Sequence, residues 1–305
     1  MTDTEGPRRR TADIDEATQV FVGHRELLFS VVYNMLGTVA DTEDVLQEVW
    51  LSWAGRRTAS AEVENPRAYL VRMSLNQALA KRAVLSRRRE TYVGQWLPEP
   101  VVDHSVVPDA AEGVVRTEAA SMALLVVLET LAPVERAVFV LNEVFGYTHA
   151  EVAEMIDRSP AAVRQLAYRA RRHVQARRPR RAADARVQRE VTERFIAATL
   201  SGDVAGLLSV LAPEVTLWTD GGTKGPAHSL LPVHGWEQVA KVFVDISRGS
   251  HPDYEVRWRT IGGDPGAVVF DGATPLAVVV LDVAPDGQVH GIYSVTNPDK
   301  LSRVG

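Results

Sequence analysis

The sequence predicts a multidomain protein: two all-α modules followed by an α+β domain. Three observations predict this. The chain has 305 residues, more than one typical domain of roughly 150 residues. Apolar residues recur at helical spacing up to about residue 178, whereas beyond residue 211 they form short alternating runs cut by Gly and Pro turns. The charge is also segregated. Residues 1–183 hold 24 Lys+Arg and 24 Asp+Glu, while residues 184–305 hold 10 and 15 and so carry the whole formal charge of −5. The boundaries expected from these shifts are 1–90, a linker at 91–116, 117–182, and 183–305.

Composition narrows the chemistry. With 46% hydrophobic and 24% charged residues the chain reads as globular, not disordered. The absence of cysteine excludes disulfides, thiolate catalysis, thiolate zinc sites and iron–sulfur clusters. The eight His are scattered without ligand spacing, so no metal and no cofactor are expected. The apolar run Met122 to Leu128 is far short of a membrane span. The polar start Met1-Thr2-Asp3-Thr4-Glu5 lacks a signal-peptide core, so a cytoplasmic protein with no membrane partner is expected.

In the first module, Leu28, Val31, Val32 and Met35 line one helix, closed by Gly37. Asp41 is placed to cap the next, which runs to about Trp53. On that helix Val45, Leu46, Val49, Trp50 and Trp53 share one side. The other side presents Asp44, Gln47, Glu48 and an exposed Leu51, an apolar residue among polar ones that suggests a protein-docking ridge. A short loop follows with Arg56 and Arg57. Asn65-Pro66 then starts a third helix. Leu70, Val71, Leu75, Ala78, Leu79 and Leu85 face inward, and Tyr69, Arg72, Met73, Asn76 and Gln77 face out. Aromatic, Arg and amide groups, with the basic run Lys81 to Arg89 behind them, suit unstacked single-stranded bases.

The stretch from Glu90 to Glu118 is acidic, contains Pro98, Pro100 and Pro108, and reads as a linker. The second module ends in two capped helices. Thr148-His149-Ala150-Glu151 is a capping box. Ser159-Pro160 restarts a helix after a short turn, the signature of a helix-turn-helix. Between Arg158 and Ala183 there are nine Arg and no acid. At about 100° per residue, Val163, Leu166, Ala167, Ala170 and Val174 fall on one face. Arg164, Gln165, Tyr168, Arg169, Arg171 and Arg172 fall on the other. Arg and Gln read base edges, and the N-terminal half of the second helix enters the major groove. Ala161, Arg164 and Gln165 are therefore expected at base edges, and Tyr168, Arg169, Arg171 and Arg172 at phosphates.

In the last domain, Val187 to Leu200 and Asp203 to Leu211 read as helices, and Val215 to Trp218 as a strand. Trp236 to Ile246 is a helix. Tyr254 to Ile261, Ala267 to Phe270, Pro275 to Val283 and Val289 to Val295 are strands. Helices followed by a strand meander make an α+β domain.

Asp41 to Leu51 and Asn65 to Asn76 resemble region 2 of the extracytoplasmic-function sigma factors of the sigma-70 superfamily, and Leu131 through Arg172 resembles their region 4. The C-terminal domain resembles the SnoaL-like branch of the nuclear-transport-factor-like cone fold. Three motifs carry the resemblance to sigma factors with such an extension: Trp96-Leu97-Pro98-Glu99-Pro100 in the linker, and Asp220-Gly221-Gly222-Thr223-Lys224 and Asn297-Pro298-Asp299-Lys300-Leu301 in the domain. Thr223 stands where the family has a third Gly, which puts that turn's conformation in question.

The resemblance implies a factor that directs RNA polymerase core to promoters. Asp44, Gln47, Glu48 and Leu51 would dock on the β′ clamp helices, and region 4 on the β flap. Tyr69, Arg72, Met73, Asn76 and Gln77, with Arg56 and Arg57, would trap the melted −10 element. Residues 161–172 would read the −35 element. Opening DNA this way is preferential binding of the open conformer, so no catalytic residue is expected. The acidic domain would restrain the sigma module by intramolecular contact through the three motifs, at high effective concentration, and the free protein would be a monomer. Two other readings of the domain stand beside this one. One is a small-molecule sensor. The other is a cyclase- or isomerase-type enzyme using Asp220, His234, Asp282 or His290.

Overall fold

The computed structural model describes residues 5–55, 63–103, 120–178, 182–226, 229–249 and 254–304, with side chains from residue 15 onward. These divide into two compact units, and the division does not follow chain order. One unit holds the described residues up to Arg87 together with Leu131–His173. The other holds the described residues from Arg88 through the linker, residues 120–130, and those from Val174 onward.

The first unit is all-α. Helix α1 (Glu5–Leu36) buries Leu28, Val31, Val32 and Met35 completely. It stops at Gly37, whose φ of 74° only glycine adopts readily. Helix α2 (Val39–Ala54) is capped at Thr38 and not at Asp41 as expected. Asp41 lies in the first turn instead, accepting a 2.6 Å hydrogen bond from Thr38 Oγ1, where its charge favours the helix dipole. Val45, Leu46, Val49 and Trp53 fill the seam with α1, and Trp53 Nε1 donates to the Ala17 carbonyl at 2.9 Å. Helix α3 (Pro66–Glu90) spans the division between units. Asn65 caps it, accepting from the Ala68 N–H at 3.0 Å.

Helix α4 (Met122–Leu128) belongs to the second unit. In the first, α5 (Pro133–Phe139) runs into a π-helical turn (Val140–Val144). It is tied to α1 by Arg136, fully buried, whose Nε donates to the Asn34 carbonyl at 2.7 Å. Gly146 (φ 70°) ends this stretch. Helix α6 (His149–Met155) opens with the expected capping box. After a turn containing Asp157 (φ 53°), helix α7 (Pro160–Arg177) starts with Ser159 Oγ accepting from the Ala162 N–H.

The second unit is α+β. Helices α8 (Ala185–Ser201), α9 (Val204–Val210) and α10 (Trp236–Gly249) carry caps at Asp184 and Asp203 for the first two. The sheet has seven strands: β1 (Val102–Asp103), β2 (Leu211–Asp220), β3 (Val233–His234), β4 (Tyr254–Ile261), β5 (Asp264–Asp271), β6 (Thr274–Val283) and β7 (Val289–Val295), in the order β1-β4-β5-β6-β7-β2-β3. Strands β4 to β7 form the expected antiparallel meander, and β2 joins β7 in parallel. A short helix α11 (Pro298–Leu301) closes the chain.

Strand β2 starts earlier than expected, running through Pro213 because the ladder shifts register between Leu211 and Thr216. Such an irregularity tolerates a residue without an N–H. The stretch read as linker also contributes strand β1, which pairs with β4 at the edge of the sheet. The two faces of the sheet are buried differently. Phe195, Leu207 and Phe243 of the helices pack with Leu217, Leu281 and Ile292 on one face. Leu97, Met122, Ala123, Leu301 and Val304 cover Val268, Val280 and Val295 on the other. Among the described residues no helix is long and apolar enough to cross a membrane.

Candidate nucleic-acid interface and buried motif cluster

The helix-turn-helix places its side chains as the spacing predicts. Val163, Ala167, Ala170 and Val174 of α7 are buried, while Ala161, Arg164, Gln165, Tyr168, Arg169 and Arg172 are exposed. The face is not uniform. Arg169 Nε donates to Glu135 at 2.9 Å, and Arg171, half-buried, donates through Nη2 to Glu143 at 2.5 Å. Both arginines are thus anchored to the preceding helical segment. Arg172 lies 5.8 Å from the Tyr168 ring. Arg164 and Gln165, on the N-terminal half, present their donors outward.

The ridge on α2 is as exposed as expected. Asp44, Gln47 and Glu48 are open, and Leu51 retains 62% of its surface. Asp44 also accepts from Lys81 Nζ at 3.1 Å. On α3, Arg72 and Asn76 are exposed and Met73 and Gln77 half-buried. Tyr69 is half-buried against Trp53, with ring centroids 5.9 Å apart. Arg56 and Arg57 lie outside the described residues.

The basic run behind them is not one nucleic-acid face. Arg82 is buried and donates to the Met35 carbonyl at 2.9 Å. Lys81 pairs with Asp41 and Asp44, which together with its hydrogen bonds raise its pKa against the opposing effect of burial. Arg89 pairs with Glu129 and stacks 3.5 Å from the Trp96 ring centroid. A cavity of about 350 Å³ is lined by Tyr69 and Arg72 on one side and by Tyr147, Glu151 and Glu154 on the other. Arg67 lies 5.6 Å from the Tyr147 ring there.

The three short motifs, far apart in sequence, meet in the second unit. Asp220 ends β2 and is completely buried. Its carboxylate accepts from Tyr92 Oη at 2.6 Å, Lys300 Nζ at 2.6 Å, the Leu97 N–H at 2.8 Å and the Gly222 N–H at 3.2 Å. Its carbonyl accepts from the Thr296 and Asn297 N–H groups. Asn297 Nδ2 donates to Tyr92 Oη at 2.7 Å, and Lys300 Nζ also donates to the Leu97 carbonyl.

Lys300 lies 4.3 Å from the Trp96 centroid, so both Lys300 and Arg89 are held against the Trp96 ring. Burial pulls the Lys300 pKa down against the attraction of Asp220. Burial and the Asp220 carboxylate push the Tyr92 phenol up. Leu97, Pro98, Glu99 and Pro100 are buried, and Pro298 and Asp299 begin α11. At the rim Lys224 pairs with Asp299 at 2.8 Å.

The turn question raised by Thr223 resolves in the backbone. The positive φ of 57° falls on Gly222, and Thr223 takes an ordinary conformation. A Cβ on Gly222 would stand 2.5 Å from Asn297 Nδ2. The close approach at this turn therefore involves Gly222 and not the substituted position. Tyr92, four residues before Trp96 in the linker, joins the cluster from outside the three motifs.

The enzyme candidates separate. Asp220 is enclosed by donors. His234 is exposed, with Nδ1 3.0 Å from Thr216 Oγ1. Asp282 and His290 line one cavity of about 180 Å³, Asp282 paired with Arg178 at 3.2 Å and His290 lying 3.4 Å from Glu214. Among the described residues no group of His, Asp and Glu is arranged to hold a metal.

Comparison with known proteins agrees with this architecture. The sigma-70 region 2 family matches residues 20–90, and the sigma-70 region 4 family matches residues 121–174. The ECF RNA polymerase sigma factor SigJ of Mycobacterium tuberculosis is 36% identical over 92% of this chain and 92% of its own. The probable ECF RNA polymerase sigma factor SigI of the same organism is 28% identical over 94% of this chain and 95% of its own. The crystal structure of M. tuberculosis SigJ superposes with a TM-score of 0.72 at 34% identity, covering 93% of this chain and 98% of that one. The chain belongs to the extracytoplasmic-function family of RNA polymerase sigma factors.

Proposed function

We propose that this sigma factor reads the −35 element with the exposed face of α7 and the melted −10 element with the outer face of α3, and that its C-terminal domain restrains it. Arg164 and Gln165, with Ala161 beside them, contact base edges. Tyr168, Arg169, Arg171 and Arg172 contact phosphates, with Arg169 and Arg171 exchanging their acidic partners for DNA. Tyr69, Arg72, Met73, Asn76 and Gln77, with Arg56 and Arg57, hold unstacked bases. The ridge Asp44, Gln47, Glu48 and Leu51 docks on the β′ clamp helices, and region 4 meets the β flap. The free protein is a cytoplasmic monomer, and DNA opening proceeds by capture of the open state without a catalytic residue.

The observation that carries the restraint is how region 4 is divided. Its first helix, α4, packs in the second unit, where Met122 and Ala123 bury against the sheet. Helices α5 and α6 and most of α7 lie in the first. The first unit is itself closed, because buried Arg136 fastens α5 to α1. The cavity between Tyr69, Arg72 and the acidic side of α6 also puts a candidate −10 face against region 4. The two promoter elements lie about 25 base pairs apart, or about 85 Å along the duplex. Reading both requires regions 2 and 4 to separate. The C-terminal domain opposes that by holding α4, the linker motif and the end of α7.

Base readout is tested by transcription from a promoter library with Arg164→Ala. Relaxed preference confined to the −35 element supports the assignment, and unchanged preference refutes it.

A further inference from the structure

The two arginines of α7 that pair with acids occupy particular places on its exposed face. At about 100° per residue, Arg164, Tyr168, Arg172 and Gln165 fill the middle of that face. Arg171 and Arg169 mark its two margins, about 160° apart. A helix lying in the major groove has a phosphate backbone along each side, so each margin faces one backbone.

Each margin is met by an acid from the preceding helical segment of the same unit. Arg169 Nε donates at 2.9 Å to Glu135 Oε1, in the first turn of α5. Arg171 donates through Nε at 3.2 Å and Nη2 at 2.5 Å to one oxygen, Glu143 Oε1, in the π-helical turn. Arg164 and Arg172, between the margins, pair with no acid among the described residues. A guanidinium edge already held by a carboxylate is not open to a phosphate. Exposed ion pairs of this kind contribute little to folding stability, so they are free to exchange. An acid that gives up its arginine to the DNA is left beside the phosphate backbone, where like charges repel. Phosphate contacts carry no sequence information, so this penalty falls on every duplex alike.

We propose that Glu135 and Glu143 are positioning residues that hold back the two marginal arginines and so set the strength of sequence-independent DNA binding by α7. The inference rests on α7 being the DNA-reading helix and goes beyond it: contact with each backbone requires the surrender of one carboxylate. The pair of acids lowers general affinity for duplex and leaves base preference to Arg164 and Gln165. This limit is built into region 4 itself and does not depend on the C-terminal domain.

The full-length protein is titrated by fluorescence anisotropy against two labelled duplexes of about three helical turns. One has random sequence and the other carries a −35 element selected from a promoter library, and salt runs from about 50 to 200 mM. Glu135→Gln and Glu143→Gln are each expected to bind both duplexes about threefold or more tighter than wild type at the low end of salt. The slope of log affinity against log salt steepens by up to about 0.9 for each acid removed, a change that a merely structural role would not produce. Glu193→Gln, which removes an exposed acid on α8, leaves affinity within about twofold and separates the local effect from net charge. Either region 4 variant binding no tighter than wild type overturns the proposal, as does a gain confined to the −35 duplex or an equal gain from Glu193→Gln. Arg172→Ala separates this failure from that of the reading beneath it. If Arg172→Ala weakens binding while the Glu variants change nothing, only the proposal fails. If Arg172→Ala also changes nothing, α7 is not the DNA-binding helix and both fail.

Discussion

Replacing Asp220 with alanine removes four hydrogen-bond acceptances at once and leaves the Lys300 ammonium buried. In the native protein Asp220 accepts from Tyr92 Oη, Lys300 Nζ and two backbone N–H groups, all at 3.2 Å or less. After the change Lys300 keeps the Leu97 carbonyl, the faces of Trp96 and Tyr92 and the weaker attraction of the Glu99 carboxylate. Breaking one partner of a buried pair costs about 3–5 kcal/mol. Lys300→Met costs less, because Asp220 retains three donors. The double variant Asp220→Ala/Lys300→Met leaves neither charge stranded, so its loss falls short of the sum of the singles by about 1–3 kcal/mol. Hydrogen exchange of the β2 and β7 amides in mild urea follows the opening of this unit separately from the helical one. Additivity within about 0.5 kcal/mol, the scatter expected of independent sites, would refute a coupled pair.

Other outcomes follow from single sites. Gly222→Ala strains a backbone at φ 57° and drives its Cβ into Asn297, so it lowers stability by about 1–3 kcal/mol and exposes the Tyr92–Trp96 stretch to protease. Asp264 has its pKa pushed up to about 6, by burial and Asp282 against the pull of Arg178. Its protonated form is favoured in the fold, so stability is lost as pH rises from about 4 through about 6. Asp264→Asn is therefore nearly neutral at pH 4 and stabilising by up to about 3 kcal/mol at pH 7; equal effects at both pH values in chemical denaturation would contradict this. Leu51→Asp weakens binding to core polymerase without shifting the melting temperature, and wild-type affinity would remove Leu51 from the ridge. Thr148→Ala breaks the capping box and costs about 1 kcal/mol, measured as a drop in the unfolding midpoint.

What the sequence disclosed was mostly local. The helix-turn-helix was legible because its caps, Thr148 with Glu151 and Ser159 before Pro160, act within three residues, and because α7 separates its faces cleanly. The strands of the meander were legible from alternation and Gly turns. What depended on distant segments was not. Arg82 and Arg89 looked like part of a basic surface, yet one is buried under the Met35 carbonyl and the other is held by Glu129 and Trp96. Arg136 gave no sign that it would be buried. Strand β1 is two residues long and exists only because β4 offers an edge. The three motifs could be quoted from the sequence. That they converge on one carboxylate could not, since 80 residues separate Asp220 from Lys300.

The central claim is that the C-terminal domain restrains a competent sigma module by holding α4, the linker motif and the end of α7. It is tested most directly by transcription in vitro with core polymerase and a promoter library, comparing the full chain with one ending after residue 183. The account predicts more transcript from the truncated chain, with the same −35 preference. Equal transcription and promoter occupancy from the two chains would contradict it.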